Sequence, residues 1–149
     1  MSDENIAQLR QAPYVGFDID NFADIASADF EVRDPRTNAP TGIIIQIAGP
    51  EHPARKKMDH ARQRKMRKEL ARTGKLQLAD PAEDEEDQVE YLATCILGWN
   101  RMTKGGRDIP YTAQAARDLM ADPKRRWLRD QIKAGVEERE TFIEGSGQS

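Results

Sequence analysis

Alternation of apolar and polar residues predicts a β-hairpin in the first third of the chain. The apolar positions that alternate along its two strands are Phe30, Val32, Ile43, Ile45 and Ile47. The connection between them, DPRTNAPTG, contains prolines, an asparagine and a glycine, which favour turns. We therefore expect a hairpin at about 28–48. Because two strands alone are marginally stable in water, the hairpin should pack on helices or pair its edge with another chain.

Apolar positions at three- and four-residue spacing predict helices in the rest of the chain. A basic segment at about 54–72 has helix-forming composition but a weak apolar stripe, so we expect it to be exposed or bound to a partner. Gly74 is its expected end. A second helix should begin at Pro81, with Asp80 as its N-cap. The apolar positions expected on this helix are Val89, Leu92, Ala93, Ile96, Leu97 and Trp99.

The stretch CILGWNRMTKGGRDIPYT predicts a turn between two packed helices rather than a ligand-binding loop. Its glycines lack the spacing of a dinucleotide fingerprint, and residues 102–108 should form the turn, with Gly105 and Gly106 permitting positive φ. Thr112 is the expected cap of the next, short helix. A last helix should run from Pro123 to about Phe142. Its apolar stripe contains Leu128, Ile132, Val136 and Ile143.

These elements predict one α+β domain over 28–143, mainly α-helical with a small N-terminal β-hairpin. A bundle of three or four helices is expected over about 81–143. Residues 1–27 should form an N-terminal arm, and residues 144–149 a flexible tail.

Charge is distributed unevenly along the chain, although the formal net charge is only −3. Residues 55–75 carry ten basic and two acidic side chains, whereas residues 80–90 carry seven acidic side chains and no basic one. The basic face considered for binding consists of Arg55, Arg62, Arg64, Arg67 and Lys68. Three roles stay open for it. It could be a face that is solvated or neutralised by the acidic segment, a site for an acidic or helical protein, or a phosphate-binding site for nucleic acid.

Patterns typical of catalytic, cofactor and metal sites are absent from the sequence. The Gly74-Lys75 pair lacks the flanking residues of a phosphate-binding loop, and His52 and His60 have no cysteine partners for zinc. We therefore expect a protein that is not an enzyme, with no cofactor and no catalytic or metal-binding residue. Cys95 is the only cysteine, which fits a reducing cytoplasm, and it should be a small buried apolar residue.

No apolar run is long enough to span a membrane, and the N-terminus does not resemble a signal peptide. We therefore expect a soluble, cytoplasmic protein with no membrane partner. The large aromatic residues belong either to the core or to a partner surface. The candidate partner-binding residues are Trp99, Tyr111, Leu119, Trp127, Leu128, Ile132 and Val136.

Residues 92–143 contain an ordered set of short motifs. An apolar segment ending in GW is followed by a basic, glycine-containing link, then IPYTAQAARDLM, then DP and a Trp-bearing segment ending in ETFI. Upstream lies a hairpin of the form F-x-V-x-DPRTNAPTGIIIQI. Over about residues 28–143 the chain resembles the tail assembly chaperones of long-tailed, siphovirus-like bacteriophages. The basic helix at 54–75 has no counterpart in the family pattern.

The resemblance implies a specific, non-enzymatic function. Such chaperones bind the tape measure protein in the cytoplasm of the infected host, keep it soluble, and help to recruit tail tube subunits along it. They are absent from the finished virion, and many also exist in a longer, frameshifted form. Amphipathic helices can bind a partner helix through their apolar faces, and an unpaired hairpin edge would favour a homo-oligomer.

Two other functions compete with this one. The first is a small nucleic-acid-binding regulator that uses residues 55–75, although that segment contains no aromatic residue for base stacking. The second is a structural phage component, such as a tail completion or connector protein, which would be found in purified virions.

Overall fold

The structure, a computed structural model, describes residues 16–75 and 80–144. The helices are α1 (Pro53–Thr73), α2 (Pro81–Cys95), α3 (Ala113–Ala121) and α4 (Arg126–Glu137). The strands are β1 (Ala23–Asp24), β2 (Ser27–Arg33), β3 (Pro40–Ala48), β4 (Ile96–Trp99), β5 (Thr103–Lys104), β6 (Arg107–Asp108) and β7 (Ile143–Glu144). Short 3₁₀ segments lie at Ile19–Asn21, Pro123–Arg125 and Arg139–Phe142.

The predicted hairpin is confirmed. Strands β2 and β3 pair antiparallel, with Phe30 opposite Ile45 and Ala28 opposite Ile47. In the turn, the Asp34 carboxylate accepts hydrogen bonds from two backbone N–H groups, which lowers the pKa of Asp34. The composition of the connection therefore predicts the place of the turn, whereas the stabilising role of Asp34 was not predicted.

The predicted extension of the second helix to Trp99 is wrong. Helix α2 ends at Cys95, and Ile96–Trp99 forms β4, which pairs antiparallel with β3. Ile96 and Trp99 are of the β-branched and aromatic types that favour strands, and Gly98 disfavours a continued helix. Pairing with β3 then satisfies the backbone groups of this segment. The hairpin edge on β3 is thus covered by the chain itself.

The predicted bundle of three or four helices is not confirmed, because the helices pack on a sheet. Strands β2, β3 and β4 form one antiparallel sheet, and α4 lies against β2 and β3. Helices α2 and α3 pack on each other and on α4. The structure is therefore mixed, with four helices and a hairpin-based sheet among the described residues.

The predicted last helix is shorter than expected. It splits into a 3₁₀ segment, α4 and a second 3₁₀ segment, after which β7 pairs antiparallel with β1. Part of the predicted arm and part of the predicted tail, residues 1–15 and 145–149, lie outside the described residues. Phe142 is buried, and its carbonyl accepts a hydrogen bond from the backbone N–H of Ile25 at 2.8 Å.

The core lies between the sheet and helices α2, α3 and α4. Its largest fully buried side chains are Val32, Ile45, Ile47, Leu92, Cys95, Ile96, Met120, Ile132 and Phe142. Helix α1 contributes no buried residue, which agrees with the exposed helix that its weak apolar stripe predicts.

Several predicted caps and turns are confirmed. The Thr112 side chain accepts a hydrogen bond from the N–H of Ala115, and Gly74 ends α1 with a φ of 70°. Asp80 precedes α2 but makes no capping hydrogen bond through its side chain. Gly105 and Gly106 have φ values of 60° and 78°, but they close the β5–β6 hairpin, so this turn follows a strand and does not join two helices directly.

Candidate partner-binding surfaces

Trp99 and Tyr111 use their polar atoms within the chain. The Trp99 indole donates a hydrogen bond to the carbonyl of Ile109 at 2.8 Å, and the Tyr111 hydroxyl donates to the carbonyl of Ile96 at 2.9 Å. Their rings meet edge to face with centroids 5.1 Å apart. Both side chains are half-buried, and together they fix the segment between β4 and α3.

Three of the predicted contact residues belong to the core. Leu128, Ile132 and Val136 are 4%, 0% and 2% exposed, and they face inward from α4. The periodic stripe that suggests a partner surface therefore packs against the chain's own sheet and helices. We correct their assignment accordingly: they support the fold and do not form the main contact surface.

Leu119 and Trp127 border an apolar groove between α3, α4 and the β5–β6 hairpin. Leu128 lies at its base, and Ile43 and Ile109 also line it. Charged side chains at the rim are Lys104, Asp122 and Arg125. The groove has a volume of about 100 Å³, which suits one inserted apolar side chain. Drug-sized ligands occupy pockets of roughly 300–1,000 Å³. We define these residues as the Trp127 groove.

The predicted basic face divides into two parts. Arg55 is half-buried, with its guanidinium donating to the carbonyls of Ala48 and Val136, so it belongs to the fold rather than to an exposed face. Arg62 lies 4.0 Å from the centroid of the Tyr91 ring, which is a cation–π contact. The remaining three residues, Arg64, Arg67 and Lys68, are exposed.

Helix α1 also exposes two apolar residues in its C-terminal half. Met66 and Leu70 are 52% and 47% exposed and lie one helical turn apart. Met66 borders an open cleft of about 490 Å³ between α1, α2 and α4. Its walls carry both signs of charge, with Arg62 on α1, Lys133 on α4, and Asp84 and Asp87 on α2.

An ion pair between a buried arginine of α4 and an exposed glutamate of α2 was not predicted from the sequence. Arg129 is 6% exposed, and its Nη2 atom donates to the Glu85 carboxylate at 3.1 Å. Its position directly after Leu128 and three residues before Ile132, at the edge of the apolar stripe, is the signal that could have identified it. Its Nε atom is buried without a hydrogen-bond partner in the part of the chain that the structure describes.

Cys95 is fully buried, as predicted, and burial raises the pKa of its thiol to about 11. Across residues 16–75 and 80–144, no three side chains of His, Cys, Asp or Glu come together as metal ligands would. Over the same residues, no helix combines the length and apolar composition that crossing a membrane requires.

Comparison of the chain with protein-family models, with curated proteins and with solved structures finds no match. The resemblance to tail assembly chaperones therefore stays a prediction that rests on the motif residues. Of those residues, Trp99 and Tyr111 hold the segment that leads into α3, and Asp122 and Trp127 border the groove.

Proposed function

We propose that this protein is a tail assembly chaperone of a long-tailed bacteriophage. In this role it binds the tape measure protein in the cytoplasm of the infected host, keeps it soluble, and helps to recruit tail tube subunits. It would be absent from the finished virion. The observation that carries the proposal is the Trp127 groove, an apolar groove built by the segment that resembles the family.

The groove suits a helical partner. A helix that lies across α3 and α4 could insert one apolar side chain between Leu119 and Trp127. Lys104 and Arg125 at the rim favour acidic residues beside that side chain. Tape measure proteins, which the resemblance names as partners, are long and helical and expose apolar faces before assembly.

Helix α1 would contribute to the rate of association. Its exposed residues Arg64, Arg67 and Lys68 create a positive potential on one side of the molecule. Such a field accelerates encounters with acidic segments of a partner, and the acceleration decreases as salt is added. Binding in the groove and steering by α1 require no chemical step, so the proposed function is not enzymatic.

Co-expression with the tape measure protein encoded downstream tests the proposal. We expect the tape measure protein to become more soluble and to co-purify with this chain. Leu119→Gln should weaken co-purification, because it places an amide at the edge of the apolar groove. Ala121→Gln, an exposed position on the same helix, is the matched control and should bind normally. Equal solubility without the chain, together with no co-purification, would contradict the proposal.

A nucleic-acid-binding regulator is the second candidate. It is favoured by one observation: the exposed residues Arg64, Arg67 and Lys68 form no ion pair within the described part of the chain. Binding of DNA or RNA that decreases steeply with salt and is lost when these three residues are neutralised would support it. Recovery of the chain from purified virions would instead indicate a structural tail component.

A further inference from the structure

Two charged stripes of opposite sign run side by side along α1 and α2. On α1, the basic stripe consists of Lys65, Lys68 and Arg72, at spacings of three and four residues. Met58 and Ala61 extend the same face toward the start of the helix. On α2, an equivalent spacing contains Glu83, Asp87 and Glu90. Residues at such spacing lie on one face of a helix. An open groove of about 240 Å³ separates the two stripes, and both Lys65 and Asp87 line it.

The two helices are antiparallel. Arg55, near the start of α1, bonds to Tyr91 in the second half of α2, whereas Arg62, one to two turns further along α1, bonds to the carbonyl of Asp87. Residues later in the sequence of α1 therefore lie beside residues earlier in the sequence of α2. This arrangement places the basic C-terminal half of α1 next to the acidic N-terminal half of α2.

Most of these charges form no direct ion pair within the chain. Over residues 16–75 and 80–144, Lys56 is the only basic residue of α1 within 4.0 Å of a carboxylate, and its partner is Glu51 in the loop before the helix. Glu90 pairs with Arg117 of α3, whereas Glu83 and Asp87 have no such partner among these residues. The groove is thus bordered by one row of exposed cations and one row of exposed carboxylates.

We propose that a second copy of this chain covers the groove between α1 and α2, so that α1 of each copy lies on α2 of the other. A two-fold axis parallel to the two helices produces this arrangement. Rotation about this axis leaves the position of each residue along the helix direction unchanged. Lys65 and Asp87, which face each other within one chain, therefore also face each other between chains. A two-fold axis perpendicular to the helices, in the plane of contact, would place α1 on α1, which charge repulsion opposes.

A second copy fits the groove better than nucleic acid does. A phosphate backbone on α1 would pass close to Asp87 and Glu90, which border the same groove and would repel it. A second copy matches both stripes at once, and Met58 and Ala61 supply a small apolar contact at one end. The dimer does not depend on partner binding in the Trp127 groove, which is lined by other residues. Lys68 is the one residue shared by the basic stripe and the three exposed cations proposed to steer a partner.

Charge exchange between the stripes tests the dimer with the full chain. Sedimentation should show a dimer at about 0.05 M salt that dissociates at about 0.5 M, because exposed charges are then screened. Variant one carries Lys65→Glu, Lys68→Glu and Arg72→Glu; variant two carries Glu83→Lys, Asp87→Lys and Glu90→Lys, the three residues of the acidic stripe. Each variant alone should be monomeric, because the dissociation constant of its homodimer should be at least about tenfold higher than that of the wild type. An equimolar mixture should form a heterodimer, because both of its contacts are again between opposite charges.

Variant one is more acidic than the wild type and variant two is more basic, so the two could attract each other without pairing of the stripes. A matched control tests for this general attraction. Arg107→Glu, Arg126→Glu and Arg139→Glu together change the net charge as much as variant one, at exposed positions outside the stripes. This control should form homodimers and should not pair with variant two. Circular dichroism should show that all variants are folded.

Three outcomes would overturn the proposal. The first is a wild-type chain that remains monomeric at low salt and high micromolar concentration. The second is a mixture of variants one and two that forms no heterodimer although both are folded. The third is a low-salt complex that contains nucleic acid and disappears after nuclease treatment. The chaperone proposal is tested by solubility and co-purification of the tape measure protein, and the dimer by sedimentation. Either proposal can therefore be contradicted while the other stands.

Discussion

Arg55 donates a hydrogen bond from Nε to the hydroxyl oxygen of Tyr91 at 3.0 Å, which joins the first turn of α1 to α2. The Tyr91 hydroxyl in turn donates to the carboxylate of Asp59 at 2.8 Å. Arg55 also donates to the carbonyls of Ala48 and Val136. Since α1 contributes no fully buried residue and only Met58 is named among its residues packed against the core, this network is a main attachment of α1 to the fold.

Replacing Arg55 with methionine should loosen α1 and destabilise the fold. The change removes three hydrogen bonds and leaves two part-buried carbonyls without their donor, so we expect a loss of about 2–3 kcal/mol in the free energy of unfolding. Urea denaturation measures the loss. Hydrogen exchange should show that amides of α1 exchange faster.

Arg64→Met is the matched control on the same helix. Arg64 is exposed, so its replacement should change the free energy of unfolding by no more than about 0.5 kcal/mol. If both variants were equally stable, the hydrogen bonds of Arg55 would not anchor α1.

Gly49 follows β3 at a place where a side chain does not fit. A Cβ atom there would lie 2.8 Å from Cδ1 of Phe142 and 3.0 Å from the carbonyl oxygen of Ile25. Phe142 is 1% exposed, so its ring has little room to move. Gly49→Ala should therefore cost about 1–3 kcal/mol in thermal or urea unfolding.

Gly98→Ala is the control for that substitution. A Cβ atom at Gly98 meets no atom within 4 Å, so the change should be nearly neutral. In addition, Phe142→Leu should lessen the cost of Gly49→Ala, because the two positions are in contact. Strictly additive effects in the double variant would show that the ring is not the obstacle.

The sequence was sufficient to predict elements that depend on local chemistry. Alternating apolar residues and the turn composition identify β2 and β3, and Thr112 and Gly74 mark the helix ends that the structure has. Positive φ at Gly105 and Gly106 was also predictable, because glycine adopts it without steric cost.

Elements that depend on distant contacts were not predictable in the same way. Ile96 continues the three- and four-residue spacing of Val89, Leu92 and Ala93, so local periodicity favours a helix there. The strand forms because β3, about 50 residues earlier, has an edge that pairs with Ile96–Trp99. A strand of four residues is too short to display an alternation of its own.

The candidate groove was predictable only in part. Leu119 and Trp127 were expected to face a partner, but the groove also needs Ile43 from the hairpin and Ile109 from the loop before α3. No pattern in the sequence indicates that these four residues meet. The same limit applies to Arg129, whose carboxylate partner Glu85 lies on another helix.

The pair of Arg129 and Glu85 should respond asymmetrically to substitution. Arg129 is buried and its Nε atom has no partner among the described residues, so a methionine of similar length should cost little or even stabilise the protein. Glu85→Gln leaves the buried guanidinium without its carboxylate and should cost about 1–2 kcal/mol in urea denaturation.

Glu86→Gln is the control for this comparison, since Glu86 is exposed and has no ion pair in the described part of the chain. Its effect should stay within about 0.5 kcal/mol. A larger loss from Arg129→Met than from Glu85→Gln would mean that the guanidinium stabilises the fold beyond its pair with Glu85, as through its hydrogen bond to the carbonyl of Met120.

Burial of Cys95 should make stability dependent on pH in the alkaline range. The ordinary pKa of a thiol is 9.0, and desolvation raises the pKa of Cys95 to about 11. Above pH 9 the unfolded chain therefore loses this proton while the native chain keeps it, and the free energy of unfolding decreases as pH rises. For one proton the slope approaches about 1.4 kcal/mol per pH unit. Below pH 9 the contribution is fully present.

Cys95→Ala isolates this effect. Urea denaturation of both proteins between pH 8 and about 10.5 gives a difference in which the other titrating groups cancel. Cys95 is also one cause of the raised pKa of Tyr91. Because burial raises the pKa of Tyr91 to about 12, the folded protein keeps Tyr91 protonated up to the upper pH of this comparison, so this coupling does not enter the difference. The lost volume of the sulfur atom adds an offset that does not vary with pH. A wild-type advantage that decreases above pH 9 is the expected result, whereas a difference independent of pH would show that the thiol titrates alike in both states.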